Sequence, residues 1–164
     1  MVVLGGKVLV SVVLLDTAQV LSLLLLPSPT VPPGVVAVIP QPSFATFLHI
    51  FLGNAFWGAQ ELVPCYSVYA LARSLYSLLP AIALLGAAWH VSSQGAVLRI
   101  FSFAYSWLEV TTYSYALLQS FEFLRRLMGR RLTMRYVATN GGIVIGGILV
   151  AAALEVMATV VLWT

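Results

Sequence analysis

The stretch YSWLEVTTYSYALLQS, residues 105–120, sets an acid, Glu109, inside a run otherwise made of aromatic, aliphatic and hydroxyl side chains. At helical spacing, Ser102, Tyr105, Ser106, Thr112, Tyr113, Ala116 and Ser120 stand three or four residues, or sums of these, from Glu109 and share its face. Such a stripe of small and hydroxyl-bearing residues lets a second helix approach closely and hydrogen-bond across the interface. Hydrocarbon would solvate none of these hydroxyls. The Glu109 face is therefore expected to look inward, with Leu108 and Leu118 looking elsewhere.

The rest of the chain says what surrounds that helix. Of 164 residues, 61% are hydrophobic and 8% charged, and the mean hydropathy is +1.01. No water-soluble fold of about one domain needs so much apolar surface, so the sequence predicts an all-α integral membrane protein. The net charge of +3 comes from few residues, and most arginines crowd into RRLMGRRLTMR. That concentration argues for a role in topology and against a nucleic-acid footprint. The single Cys65 excludes an internal disulfide and any multi-cysteine metal or redox site.

Five apolar segments follow along one membrane domain, at about 2–26, 44–63, 74–89, 97–124 and 136–163. The first is long enough to cross about 30 Å of hydrocarbon, and it reads as a retained helix because Asp16 interrupts the apolar run and no small-x-small cleavage site follows. Pro27, Pro29, Pro32, Pro33, Pro40 and Pro42 make the stretch 27–43 an uncharged loop that cannot continue a helix. The second segment carries His49 and Asn54 and meets a break at Pro64. Pro80 leaves the short third segment open to a kink, a tilt or a partial crossing. With the N-terminus cytoplasmic, Lys7, Arg73, Arg125, Arg126, Arg130, Arg131 and Arg135 fall inside and only Arg99 outside, so this orientation is expected. The arginine loop 125–135 is then a candidate contact for anionic lipid or an acidic partner.

The last segment repeats the small-residue design: Gly147, Ala151, Glu155 and Thr159 recur every four residues, and Gly142 with Gly146 makes a GxxxG step. Gly142, Gly146, Gly147 and Ala151 are the candidate helix-packing positions. Asp16, Glu109 and Glu155 lie well inside expected spans, where an ionised side chain costs about 2.5–3.5 kcal/mol on insertion scales. That cost requires partners or protonation. Asp16, Asn54, Glu109, Tyr113 and Glu155 form the candidate intramembrane polar cluster, with Asn54 expected as the cross-helix partner of Glu109. Glu61 and Glu122 are read as solvated residues at helix ends.

The segment with Asn54, the later LEVTTYSYA with Glu109 and Tyr113, and AAALE ending at Glu155 together resemble the stage II sporulation protein M family of small polytopic membrane proteins. Members tend to carry an Asn in an early span, a Glu in a middle span and an Ala-rich last span with another Glu. The likeness covers roughly residues 44–163. It departs from the family where a Pro-His-Gly step often precedes the middle Glu, since this chain has Ala104, Tyr105 and Ser106 there. The resemblance implies a helical membrane scaffold that works by assembly with partner membrane proteins.

No GxSxG, HExxH or phosphate-cradling loop occurs, and His49 and His90 are the only histidines. A two-carboxylate hydrolase built on Glu109 and Glu155 is the enzyme class the residues could support. The expectation is instead a non-enzymatic, multi-pass plasma-membrane scaffold or assembly subunit without cofactor or metal. It would pack with itself as a homo-oligomer or with other membrane proteins, amid membrane lipids and without nucleic acid. The alternative is an oligomeric channel or transporter-like protein using Asp16, Glu109 and Glu155.

Overall fold

A computed structural model describes residues 41–64 and 95–163, and between them the single positions Tyr66, Tyr69, Ala72 and Tyr76. The expected spans 2–26 and 74–89, most of the proline loop, and Lys7, Asp16, Cys65, Arg73 and His90 lie outside the described residues, as do the side chains of Arg99 and Ser102. The described part is all-helical: α1 spans Phe44–Glu61, α2 Gly95–Met128 and α3 Met134–Trp163.

Each helix begins or ends where side-chain chemistry dictates. Pro42 cannot continue a helix, and Ser43, in extended conformation, caps α1 by accepting the Thr46 amide at 3.1 Å. Thr46 Oγ1 in turn donates to the Gln41 carbonyl at 2.7 Å. The expected segment 44–63 thus starts where predicted, and it stops at Glu61, three residues before Pro64.

Between α2 and α3 the chain reverses over 129–133. Arg131 N–H donates to Arg126 O at 2.8 Å and Arg130 N–H to Leu127 O at 3.0 Å, the paired bonds of a Schellman ending. Arg130 takes the left-handed conformation there, with φ 52°, one residue after Gly129. Thr133 then caps α3, its hydroxyl accepting the Tyr136 amide at 3.3 Å.

α3 packs most extensively on α2 and also against α1, while α1 and α2 touch each other less. The core joins Ala55 of α1, Tyr113 and Ala116 of α2, and Val144 and Ile148 of α3, with Phe51, Trp57 and Tyr115 around it. Close approach is decided at two glycines. A Cβ on Gly58 would fall 3.0 Å from Val144 Cγ1 and nearer still to Ile148 Cδ1. One on Gly147 would fall 3.1 Å from Thr112 Cγ2 and nearer still to its hydroxyl.

Gly142 and Gly146 make no packing contact among the described residues, since nothing lies within 4 Å of a Cβ added to either, and both are exposed. The inward stripe of α3 runs through Asn140, Val144, Ile148, Ala151, Ala152 and Thr159. At about 100° per residue, Gly142 and Gly146 fall on another side of that helix. Of the candidate packing positions, Gly147 and Ala151 serve this bundle.

One described helix, at Met134–Val161, is long and apolar enough to cross a membrane, with a hydropathy of 2.3. α1 and α2 occupy the expected segments 44–63 and 97–124 but are more polar, owing to His49, Asn54, Gln60 and Glu61 in the first and to the Glu109 stripe in the second. The five-span arrangement is not seen as such among the described residues. Polar side chains nonetheless share the interior with that apolar core, and large apolar ones lie outside. Tyr105, Ser106, Glu109, Thr112, Ser120 and Glu61 are inside, while Phe44, Leu52, Phe56, Ile143, Leu149 and Val150 are outside.

Candidate functional site

The inner face of α2 carries Tyr105, Glu109 and Tyr113 at successive four-residue steps, so each stands one turn from the next. All three are buried, Tyr105 to 1% exposure and Glu109 to 7%. The Tyr113 hydroxyl donates to Glu109 Oε1 at 3.0 Å. Glu155 projects from α3, half-buried, close enough to both Tyr105 and Glu109 for electrostatic interaction. Glu61 comes from the end of α1 and interacts in the same way with Tyr113. Of these groups, Tyr113 and Glu109 are in direct contact, while Glu61 and Glu155 act on them through space.

Glu61 departs from the sequence reading. Expected as a solvated helix-end residue, it has 0% exposure. Its position four residues after Trp57 and three after Gly58 puts it on the face that α1 turns toward α3, and the close approach allowed by Gly58 carries it inward. Sequence gave only a weak signal for this, namely its i,i+3 spacing from Gly58.

Asn54 does not hydrogen-bond Glu109 among the described residues. It is half-exposed, one position before the buried Ala55, and the carboxyl takes its hydrogen bond from Tyr113 on its own helix instead. Asp16 lies outside the described residues. Two hydroxyls of the stripe bond locally, Thr112 Oγ1 donating to Leu108 O and Ser120 Oγ to Leu117 O, both at 2.7 Å, whereas Tyr105 and Ser106 make no hydrogen bond through theirs among the described residues. A Ser or Thr hydroxyl in a helix reaches the preceding turn's carbonyl more readily than a neighbouring helix. Leu108 and Leu118 are half-buried.

Hydrogen bonds between α2 and α3 come from longer side chains nearer the hairpin. Tyr115 donates to Asn140 Oδ1, and Asn140 Nδ2 to the Tyr136 carbonyl at 2.7 Å. Tyr136 donates to Gln119 Oε1 at 2.6 Å and packs against Phe123, with ring centroids 5.6 Å apart. Asn140 and Gln119 escaped the sequence reading. Asn140 shares a helical stripe with Val144 and Ile148, which is the signal that could have found it.

The arginine cluster divides in two. Glu122 holds Arg125 at 2.7 Å and Arg126 at 2.8 Å, and the Arg126 guanidinium lies 3.9 Å from the Tyr136 ring centre. Arg130, Arg131 and Arg135 are exposed around the turn, beside exposed Leu127, Met128 and Met134. Arg125 is about 24 Å along α2 from Glu109 at 1.5 Å per residue, so the hairpin arginines do not neutralise the buried acids. Among the described residues, no group of three or more His, Cys, Asp or Glu side chains is arranged to hold a metal ion.

Compared with known protein families, curated proteins and solved structures, the chain matches none.

Proposed function

We propose that the protein is a multi-pass, non-enzymatic membrane subunit that acts by assembly, packing its outer helix faces against a further copy or another membrane protein. The observation that carries this reading is the Gly142–Gly146 step. It is spent on no contact within the described bundle, and it lies on the helix whose outer side also presents Ile143, Ile145, Leu149 and Val150. Between helices in lipid, association depends on backbones coming close, and a small-xxx-small step provides the room. The many large apolar side chains exposed among the described residues support a lipid setting, since a soluble monomer rarely exposes apolar surface so broadly. The resemblance to the stage II sporulation protein M family agrees with an assembly role and lends support by analogy alone.

Replacing Gly142 and Gly146 together by Ile tests the reading. In detergent, and by cross-linking in vesicles, the associated fraction is expected to fall about tenfold, equivalent to about 1.4 kcal/mol, with helicity unchanged. Association at the wild-type level would remove its basis.

A second reading, an oligomeric channel or transporter-like protein, is favoured by one separate observation: Glu61 and Glu109 are buried inside the bundle and Glu155 is half-buried. Intramembrane acids are costly, and they mark ion or proton routes more often than packing alone would require.

A further inference from the structure

The hairpin between α2 and α3 carries charge that assembly along α3 does not use. Arg125 and Arg126 are held by Glu122 at 2.7 and 2.8 Å, whereas Arg130, Arg131 and Arg135 are exposed and make no ion pair among the described residues. The other described acids do not serve them. Glu61 and Glu109 are buried in the bundle, and Glu155 is half-buried about 30 Å along α3 from Arg135 at 1.5 Å per residue. Three positive charges therefore face outward from one turn.

An apolar stripe leads up to that turn. Phe121, Leu124 and Met128 stand at three- and four-residue steps on α2, so they share one side of it, and they are 55%, 40% and 72% exposed. Met134, at the start of α3, is 83% exposed. The tip that carries both features is held in shape from within. Arg131 N–H donates to Arg126 O at 2.8 Å, the Arg126 guanidinium lies 3.9 Å from the Tyr136 ring centre, and Tyr136 donates to Gln119 Oε1 at 2.6 Å. A surface ordered in advance loses less freedom when a ligand settles on it.

We propose that the α2–α3 hairpin is a docking surface for anionic membrane lipid, on which Arg130, Arg131 and Arg135 meet headgroup phosphates while Phe121, Leu124 and Met128 enter the acyl boundary. The proposal rests on the membrane setting of the preceding reading and not on its assembly through Gly142 and Gly146. A guanidinium presents paired N–H donors that match two phosphate oxygens, and its aliphatic stem can lie along apolar surface while the head stays in water. An acidic protein would match the charge and leave the apolar stripe in water. An anionic lipid surface answers both, since attachment there grows with buried apolar area and with attraction to the headgroups together.

The test titrates the full chain in detergent micelles with phosphatidylglycerol or phosphatidylcholine and counts bound lipid by native mass spectrometry; flotation with phosphatidylcholine vesicles reports separately on the membrane setting. Wild-type protein is expected to hold phosphatidylglycerol about a hundredfold more tightly than phosphatidylcholine, or about fivefold for each of the three arginines. The triple variant Arg130→Gln, Arg131→Gln, Arg135→Gln should hold the two lipids alike with helicity unchanged, while Arg125→Gln, whose charge Glu122 offsets, should keep most of the preference. Protein that floats with vesicles but holds the two lipids alike, or whose preference survives the triple variant, overturns the docking surface and leaves the membrane setting standing. Protein that neither floats nor holds either lipid overturns both. A soluble glutamate-rich peptide bound through these arginines, without a lipid preference, also overturns the proposal and assigns the surface to an acidic partner. Should the triple variant fail to fold, the wild type decides: its preference falls as salt is raised, and a preference indifferent to salt overturns the proposal.

Discussion

At the residue scale, Glu109 shows how far a single polar position can be read. Its place on the inner face of α2 follows from the spacing of Tyr105, Ser106, Thr112 and Tyr113, because in the proposed lipid setting a helix has one side on which to hide its hydroxyls. Its partner was not legible. Asn54 and Tyr113 are both plausible in sequence, and the choice depends on the rotation of α1, which one residue's difference reverses. Since Tyr113 donates to Glu109 at 3.0 Å, Tyr113→Phe should leave the carboxyl short of a donor and cost about 1–3 kcal/mol, measured by denaturant titration in detergent micelles. Gly147 gives a matched pair of outcomes. Gly147→Ala drives a methyl into Thr112, whose hydroxyl is tied to Leu108 O, and should cost about 1–3 kcal/mol. Gly146→Ala, one residue away and open, should stabilise the unassociated protein by about 0.5–1 kcal/mol through helix propensity. Equal effects of the two substitutions would contradict the packing of α3.

At the element scale, the helix limits were the most readable feature. Pro42 and Ser43 fix the start of α1, whereas the turn after α2 was read only as the arginine loop 125–135, and its left-handed residue is Arg130, next to Gly129. The reason is local: with Arg130 in that conformation, the Arg131 and Arg130 amides still find Arg126 and Leu127 carbonyls. Arg130→Gly should therefore relieve strain and stabilise by up to about 1 kcal/mol, an upper bound because glycine also enlarges the unfolded ensemble. Thr133→Ala removes the α3 cap and should cost about 1 kcal/mol. Both are read from thermal unfolding followed by circular dichroism. Less legible was which small residues of α3 face inward. Gly142, Gly146, Gly147 and Ala151 all satisfy a four-residue spacing with some partner, and periodicity alone does not say which of two adjacent stripes another element covers.

At the scale of the whole molecule, the bundle and its charged hairpin have to share one environment. α2, at 34 residues, is about 51 Å long and α3, at 30 residues, about 45 Å, so in the proposed membrane setting neither would fit within about 30 Å of hydrocarbon and their joined end would stand clear of it. That end carries Arg130, Arg131 and Arg135, exposed, with Leu127, Met128 and Met134 among them. Arg125 and Arg126 are committed to Glu122 and contribute less net charge to the surroundings. Composition foretold a basic loop beside a span, but this division of labour depended on helix-phase contacts between Glu122 and the two arginines that only the folded turn displays. A basic side chain near an anionic membrane surface gains about 1 kcal/mol. Changing Arg130 and Arg131 to Gln should accordingly weaken retention of anionic lipid by about thirtyfold, measured as lipid co-purifying with the protein. Changing Arg125 to Gln should cost much less, because its charge is already offset by Glu122. Raising the salt concentration should weaken wild-type retention, since the arginines act near water where ions screen them. Equal losses for the Arg125 and the Arg130 and Arg131 changes would mean that the hairpin presents its charge as an undivided patch, contrary to the pairing seen at Glu122.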